Sequence, residues 1–126
     1  MKKNEYSPWK LFEESCEKYG ENTALIYNDR EYTYLEIYNK ALEFCKIIEG
    51  YDFTIAGVFL PNCTEFITCM LALNRQKKAF VSLSYQFKKD TLIELVSYTD
   101  IELLITDNKG YTAIVDSIER LNVRVV

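Results

Sequence analysis

The sequence predicts an α/β fold: a mainly parallel sheet with helices on both faces, preceded by a helix and a β-hairpin. Three observations carry this. Short apolar runs recur at 54–60, 79–83, 102–106 and 123–126. Between them, apolar residues return at three- and four-residue steps, the period of a helix with one buried stripe. The first run, Thr54-Ile55-Ala56-Gly57-Val58-Phe59-Leu60, is apolar on both of its alternating faces. That is the habit of a strand covered on both sides, as in parallel sheets. Right-handed crossovers stack such a βαβ series into one sheet.

The elements follow in order. Ser7-Pro8 opens a helix, with Ser7 as N-cap and Pro8 at the first position, where a missing N–H costs nothing. Tyr6 and Leu11 are spaced as a hydrophobic staple. Trp9, Phe12, Cys16 and Tyr19 form the apolar stripe, and Gly20 stands at the stop position. Residues 24–27 and 30–33 flank Asn28-Asp29, two residues that tolerate the positive φ of a tight hairpin turn. Thr33-Tyr34-Leu35-Glu36 reads as a capping box opening a helix over 34–49. Its expected inner face is Leu35, Tyr38, Leu42, Cys45 and Ile48, and Gly50 ends it.

Pro61 closes the run at 54–60, and Asn62-Cys63-Thr64-Glu65 reads as a second capping box. The helix it opens, to Gln76, is apolar nearly all round (Phe66, Ile67, Met70, Leu71, Leu73), the pattern of a deeply buried helix. A strand at 79–83 precedes a helix over 89–99 carrying Leu92, Leu95, Val96 and Tyr98. After the strand at 102–106, Asp107-Asn108-Lys109-Gly110 reads as a turn, with a weaker helix over 111–121 and a strand at 123–126.

Composition narrows the function. The 126 residues carry 15 Lys+Arg against 19 Asp+Glu, a net charge of -4. That length suits one α/β subdomain spanning 1–126. The acidic balance argues against a nucleic-acid or anionic-membrane partner. The longest nearly apolar runs fall far short of the roughly 20 residues needed to span a bilayer. No apolar stretch follows Lys2 and Lys3, so neither a membrane span nor a signal peptide is expected, and a cytoplasmic location is. There is no histidine, which excludes Ser-His and Cys-His nucleophile systems within the chain. Cys16, Cys45, Cys63 and Cys69 lack any C-x-x-C pair and read as reduced, packed thiols rather than metal ligands. The four glycines are scattered, and no Gly-rich phosphate loop is present.

From Leu11 onward, the pieces in their order resemble the N-terminal part of the adenylate-forming (AMP-binding) superfamily. That superfamily includes acyl-coenzyme A synthetases and the adenylation domains of nonribosomal peptide synthetases. YTYLEI, from Tyr32 to Ile37, resembles its first core motif. VFLPNCTEFITCMLALNRQKKAFVSLS, from Val58 to Ser84, resembles the strand, helix and second strand that end in its second core motif. LIELVSYTDIELLITD, from Leu92 to Asp107, resembles the helix and strand after it. In the second motif, Lys-Ala-Gly-x-x-x-x-Pro, Lys78 is taken to replace the Gly and Ser82 the Pro, which implies a relaxed turn.

The resemblance implies the N-terminal subdomain of the acyl-CoA synthetase-like fold, and a parent enzyme that activates a carboxylate with ATP and transfers it to a thiol. ATP and magnesium are implied for that parent, not for this chain, because the family's catalytic motifs lie downstream. No catalytic, cofactor-binding or metal residue is therefore assigned here, and the chain alone is expected to be inactive. The alternatives are a fragment of an amino-acid adenylation domain and a standalone non-catalytic interaction module. Expected partners are the remainder of the parent enzyme and, through apolar surface, a second copy of the chain. Thr33, Glu36, Asn62 and Glu65 are explained as helix caps. Arg75, Lys77 and Lys78 sit at a helix end, where cations are favourable. The ten Tyr, seven Phe and one Trp do not interleave with a basic patch and read as core.

Overall fold

Among the described residues, eleven elements follow one another: α1(Pro8–Tyr19), β1(Thr23–Tyr27), β2(Arg30–Thr33), α2(Tyr34–Ile48), β3(Ile55–Phe59), α3(Thr64–Arg75), β4(Ala79–Ser82), α4(Lys89–Tyr98), β5(Leu103–Thr106), α5(Asn108–Ile114) and β6(Arg124–Val125). They come from a computed structural model, which describes residues 7–114 and 124–125. Tyr6 of the expected staple and the far end of the expected helix at 111–121 lie outside those residues. The elements form two compact units. One takes the chain up to Asp52 together with Cys63–Lys77, the other Phe53–Asn62 together with the chain from Lys78.

The first unit holds α1, the hairpin, α2 and α3. Ser7 Oγ accepts from the Lys10 N–H at 3.2 Å and Pro8 occupies the first turn, as the sequence implies. Gly20 ends α1 without a left-handed backbone (φ -48°). What requires glycine there is approach: an added Cβ would lie 2.9 Å from the Leu35 Cγ and from the Cys16 carbonyl oxygen. Leu35 thus lies against Gly20 at the rim instead of on the inner face of α2. That face is Ile37, Ala41, Cys45 and Ile48, all at most 2% exposed, flanked by half-buried Tyr38 and Leu42. Tyr19 leaves the expected stripe and is exposed. The hairpin turns as read, with Asn28 and Asp29 at φ 52° and 64°, and β1 pairs antiparallel with β2.

Trp9, Ile37, Ala41 and Leu71 form this unit's core cluster. Trp9 stacks on Tyr38 (centroids 5.4 Å apart), and the Arg75 guanidinium lies 5.7 Å from its ring. The Trp9 backbone N–H donates to Asn74 Oδ1 at 2.8 Å, tying the start of α1 to the end of α3. Only Glu65 and Arg75 of α3 are exposed, the deep burial its composition implies. Its second capping box is absent. The helix begins one residue late, so Cys63 rather than Asn62 takes the N-cap position, and it makes no side-chain cap bond. Asn62 is exposed.

The second unit is an all-parallel sheet in the order β4-β3-β5-β6, with α4 and α5. β3 is an interior strand, between β4 and β5, and Ala56, Val58 and Phe59 are at most 3% exposed. Gly57 is crowded by side chains rather than by a helix: an added Cβ would meet Ile101 Cδ1 at 2.8 Å and Leu83 Cδ1 at 3.2 Å. Phe59, Leu83, Leu92, Val96, Ile101, Leu104 and Ile114 make the core. Of the residues expected inside α4, Leu92 and Val96 are buried, whereas Tyr98 is 85% exposed.

The turn after α3 is not relaxed. Lys77, not Lys78, carries the left-handed backbone (φ 58°), directly after the helix C-cap Gln76, where glycine is the usual residue. Counting back through the four intervening positions from Ser82 also reaches 77, so the motif's glycine position is Lys77. Lys78 instead donates from Nζ to the Phe53 carbonyl at 2.6 Å and lies 4.9 Å from the Phe53 ring. A side chain in this backbone region is strained where glycine is not. Lys77→Gly is therefore expected to raise stability by about 0.5–1 kcal/mol. Urea melts of the two proteins check it, and a loss of stability would contradict the assignment.

Candidate functional site

Two constellations of polar side chains stand out, one in each unit. The first is the capping box. The Glu36 N–H donates to Thr33 Oγ1 at 3.1 Å, and the Thr33 N–H donates to Glu36 Oε1 at 3.2 Å. The second carboxylate oxygen takes Arg30 at 3.1 Å. The Thr33 amide holds the Glu36 carboxyl below its ordinary range against the opposing effect of desolvation, with a lesser contribution from the Arg30 charge. Every polar group of this motif is thus occupied in joining β2 to α2. Its chemistry is a cap, as the sequence reading has it.

The second lies where ligands collect in open α/β sheets, at the carboxyl ends of the strands. Tyr85, just after β4, donates its hydroxyl to Asp107 at 2.8 and 3.0 Å to the two carboxylate oxygens. Asp107, just after β5, also accepts the Gly110 N–H at 2.8 Å. The Thr106 hydroxyl donates to the Phe59 carbonyl at 2.8 Å, and the Phe59 and Tyr85 rings lie 5.0 Å apart. A Cβ on Gly110 would overlap Thr106 Oγ1. The expected turn at Asp107-Asn108-Lys109-Gly110 is therefore the capped first turn of α5. The physical reason is the Asp107 side chain, which satisfies the amide three residues on. This brace was missed in the sequence; the Asp-x-x-Gly spacing after an apolar strand is the signal that could have found it.

Neither constellation is a nucleotide cradle. Asp107 is engaged by Tyr85 and Gly110, and no described glycine has positive φ, the conformation by which a glycine loop turns successive amides towards phosphate. Among the described residues no group of three His, Cys, Asp or Glu is placed to hold a metal ion. The thiols are unsuited to nucleophilic work. Burial pushes Cys69 up to about 12, and burial also raises Cys16 and Cys63. All four are free, with Cys16 and Cys45 donating weakly to the Tyr34 and Ala72 carbonyls. The sequence-identified cations are divided between structural contacts: Arg75 on Trp9, Lys78 on Phe53.

Residues 12–125 match the family described as AMP-binding enzyme, and the chain belongs to that family. Its curated relatives include tyrocidine synthase 1 of Brevibacillus parabrevis, 22% identical over 76% of this chain and 9% of the relative. Another is bacitracin synthase 1 of Bacillus licheniformis, 18% identical over 77% of this chain and 2% of the relative. Among solved structures, a fused adenylation–PCP di-domain of NpsA and ThdA from Klebsiella oxytoca superposes with a TM-score of 0.84 at 19% identity. It covers 95% of this chain and 22% of that one. The anthranilate CoA ligase AuaEII, bound to anthranoyl-AMP, gives 0.83 at 18% identity, over 100% and 27%. The chain thus spans a small part of the length of each. No helix among the described residues is long and apolar enough to cross a membrane.

Thr33→Ala is expected to lower stability by about 1 kcal/mol, the usual worth of an N-cap hydroxyl. Because the Glu36 carboxyl is depressed in the folded state, its contribution is complete above the ordinary carboxylate range and is lost as pH falls through the lowered value. Denaturant melts of both proteins at neutral pH and near pH 3 check this. Both proteins should lose stability in acid, because the residue-33 backbone N–H still donates to Glu36 in the alanine variant, and equal melts at neutral pH would remove the cap.

Proposed function

We infer that this chain is the N-terminal part of an AMP-forming ligase. The observation that carries the reading is the family match over residues 12–125, laid on a sheet and helices of the matching fold. In the enzyme so formed, a carboxylate attacks the α-phosphate of ATP. The carboxylate oxygen–phosphorus bond forms, pyrophosphate leaves, and an acyl-adenylate results. A thiol then displaces AMP to give a thioester. Chemistry of this kind depends on positioning and charge neutralisation. The residues described here supply scaffold: a buried parallel sheet whose carboxyl edge is braced by Tyr85 and Asp107. The nucleotide and magnesium sites belong to the remainder of the parent enzyme, which is the chain's principal partner.

A second reading, an amino-acid adenylation domain, is favoured by the peptide-synthase names of the curated relatives, whereas the likeness to AuaEII favours an acyl-coenzyme A ligase. The test compares the protein encoded by the complete open reading frame with the isolated 126-residue chain in carboxylate-dependent ATP–pyrophosphate exchange. Exchange by the former and none by the latter is expected; anthranilate against proteinogenic amino acids then separates the two readings. Exchange by the isolated chain, or calorimetric binding of ATP by it at micromolar concentration, would contradict the assignment of the site elsewhere. A reading frame that ends with this chain and shows no exchange would establish the standalone module instead.

A further inference from the structure

A groove outside both constellations lies between α2 and α3, open to solvent, with a volume of about 160 Å³. From α2 come Lys40, Glu43, Phe44 and Ile47; from α3 come Thr64, Glu65 and Thr68. Thr64 is 3% exposed, and its hydroxyl oxygen has no hydrogen-bond partner, alone among the buried side-chain polar atoms of the described residues. An orphaned buried hydroxyl is costly, and valine of nearly the same shape would avoid the cost. Thr68, 5% exposed, has already given its proton to the Glu65 carbonyl at 3.1 Å, so its oxygen offers only lone pairs. The Glu43 and Glu65 carboxylates, one from each helix, make no ion pair among the described residues. Phe44 adds the negative face of a ring, and Ile47, half exposed, adds apolar surface.

The inventory is rich in acceptors. Two carboxylates, two threonine oxygens and a ring face stand against one flexible cation, Lys40, on the exposed face of α2. We propose that this groove binds a small aliphatic primary ammonium, with its nitrogen among Glu43, Glu65 and Thr64 and its carbon chain on Phe44 and Ile47. An ammonium has three donors and no acceptor, which matches what the groove lacks. The ring face adds attraction for a cation. The volume admits an amine of a few carbons. Lys40 competes for the same acceptors, so its removal should tighten binding. This site lies within the first unit and is independent of the ligase reading.

The experiment is an amide-resolved NMR titration of the 126-residue chain with propylammonium chloride, with sodium propionate as the matched control. Saturable shifts centred on residues 64–68 and 40–47 are expected from propylammonium and not from propionate. Glu43→Gln, a change at an exposed position, should weaken binding about ten-fold, the loss of one charge-assisted hydrogen bond. Lys40→Gln should strengthen it. Thr64→Val should weaken it while raising the denaturation midpoint of the free protein, a combination that a merely structural threonine would not give. The proposal is overturned if propylammonium fails to saturate, if propionate gives the same shifts, or if Glu43→Gln and Thr64→Val bind as the unaltered chain does.

Discussion

The burial of β3 on both faces and both edges is the constraint on which the second unit depends. Its backbone is paired with β4 on one side and β5 on the other, and its side chains reach no water from Ala56 to Phe59. A strand so placed can use only apolar or very small residues, and Gly57 is small because Ile101 and Leu83 fill the space over it. The sheet's entry end is held by polar groups that extend the pairing: the Glu102 carboxylate accepts the Thr54 and Ile55 amides at 2.9 and 3.3 Å. At the exit end, Thr106 closes on the Phe59 carbonyl and Asp107 captures both Tyr85 and the first turn of α5. The polar groups of the carboxyl edge are thus engaged with one another across β3, β4 and β5.

Strand and helix existence was legible because period and local chemistry agreed. The run at 54–60 announced an interior strand, and Ser7-Pro8, Asn28-Asp29 and Thr33/Glu36 each behave as their local stereochemistry requires. The misreadings have a common cause: they concern which way a residue faces, which tertiary packing decides. Leu35 was drawn out of its helix's inner face by Gly20, and Ala41, too small to draw attention in a pattern search, is wholly buried. Tyr19 and Tyr98 fit helical spacing yet stand in solvent, since an aromatic ring with a hydroxyl is tolerated there. The cap of α3 failed by one residue, enough to replace an asparagine oxygen with a thiol.

The candidate site was legible in outline only. The absence of histidine and of clustered glycine narrowed the chemistry to be expected of this stretch, and the family resemblance rests on the order of the pieces rather than on any reactive residue. The Tyr85–Asp107 brace and the orphaned Thr64 hydroxyl depend on contacts between distant parts of the chain, 22 residues apart in the first case. No local pattern contains such information. The Lys77 backbone shows the converse. A lysine stands in a left-handed conformation that glycine would adopt without strain, so the fold imposes the geometry and the side chain bears the strain.

The central structural claim is that β3 is an interior strand of a parallel sheet, buried on both faces and paired on both edges. Native-state hydrogen exchange, resolved amide by amide, tests it most directly. The account predicts that the amides of Ala56, Gly57, Val58 and Phe59 are among the last to exchange, opening only with global unfolding, while those of the two-stranded hairpin exchange well before them. Exchange of these four amides as fast as that of the hairpin would contradict it.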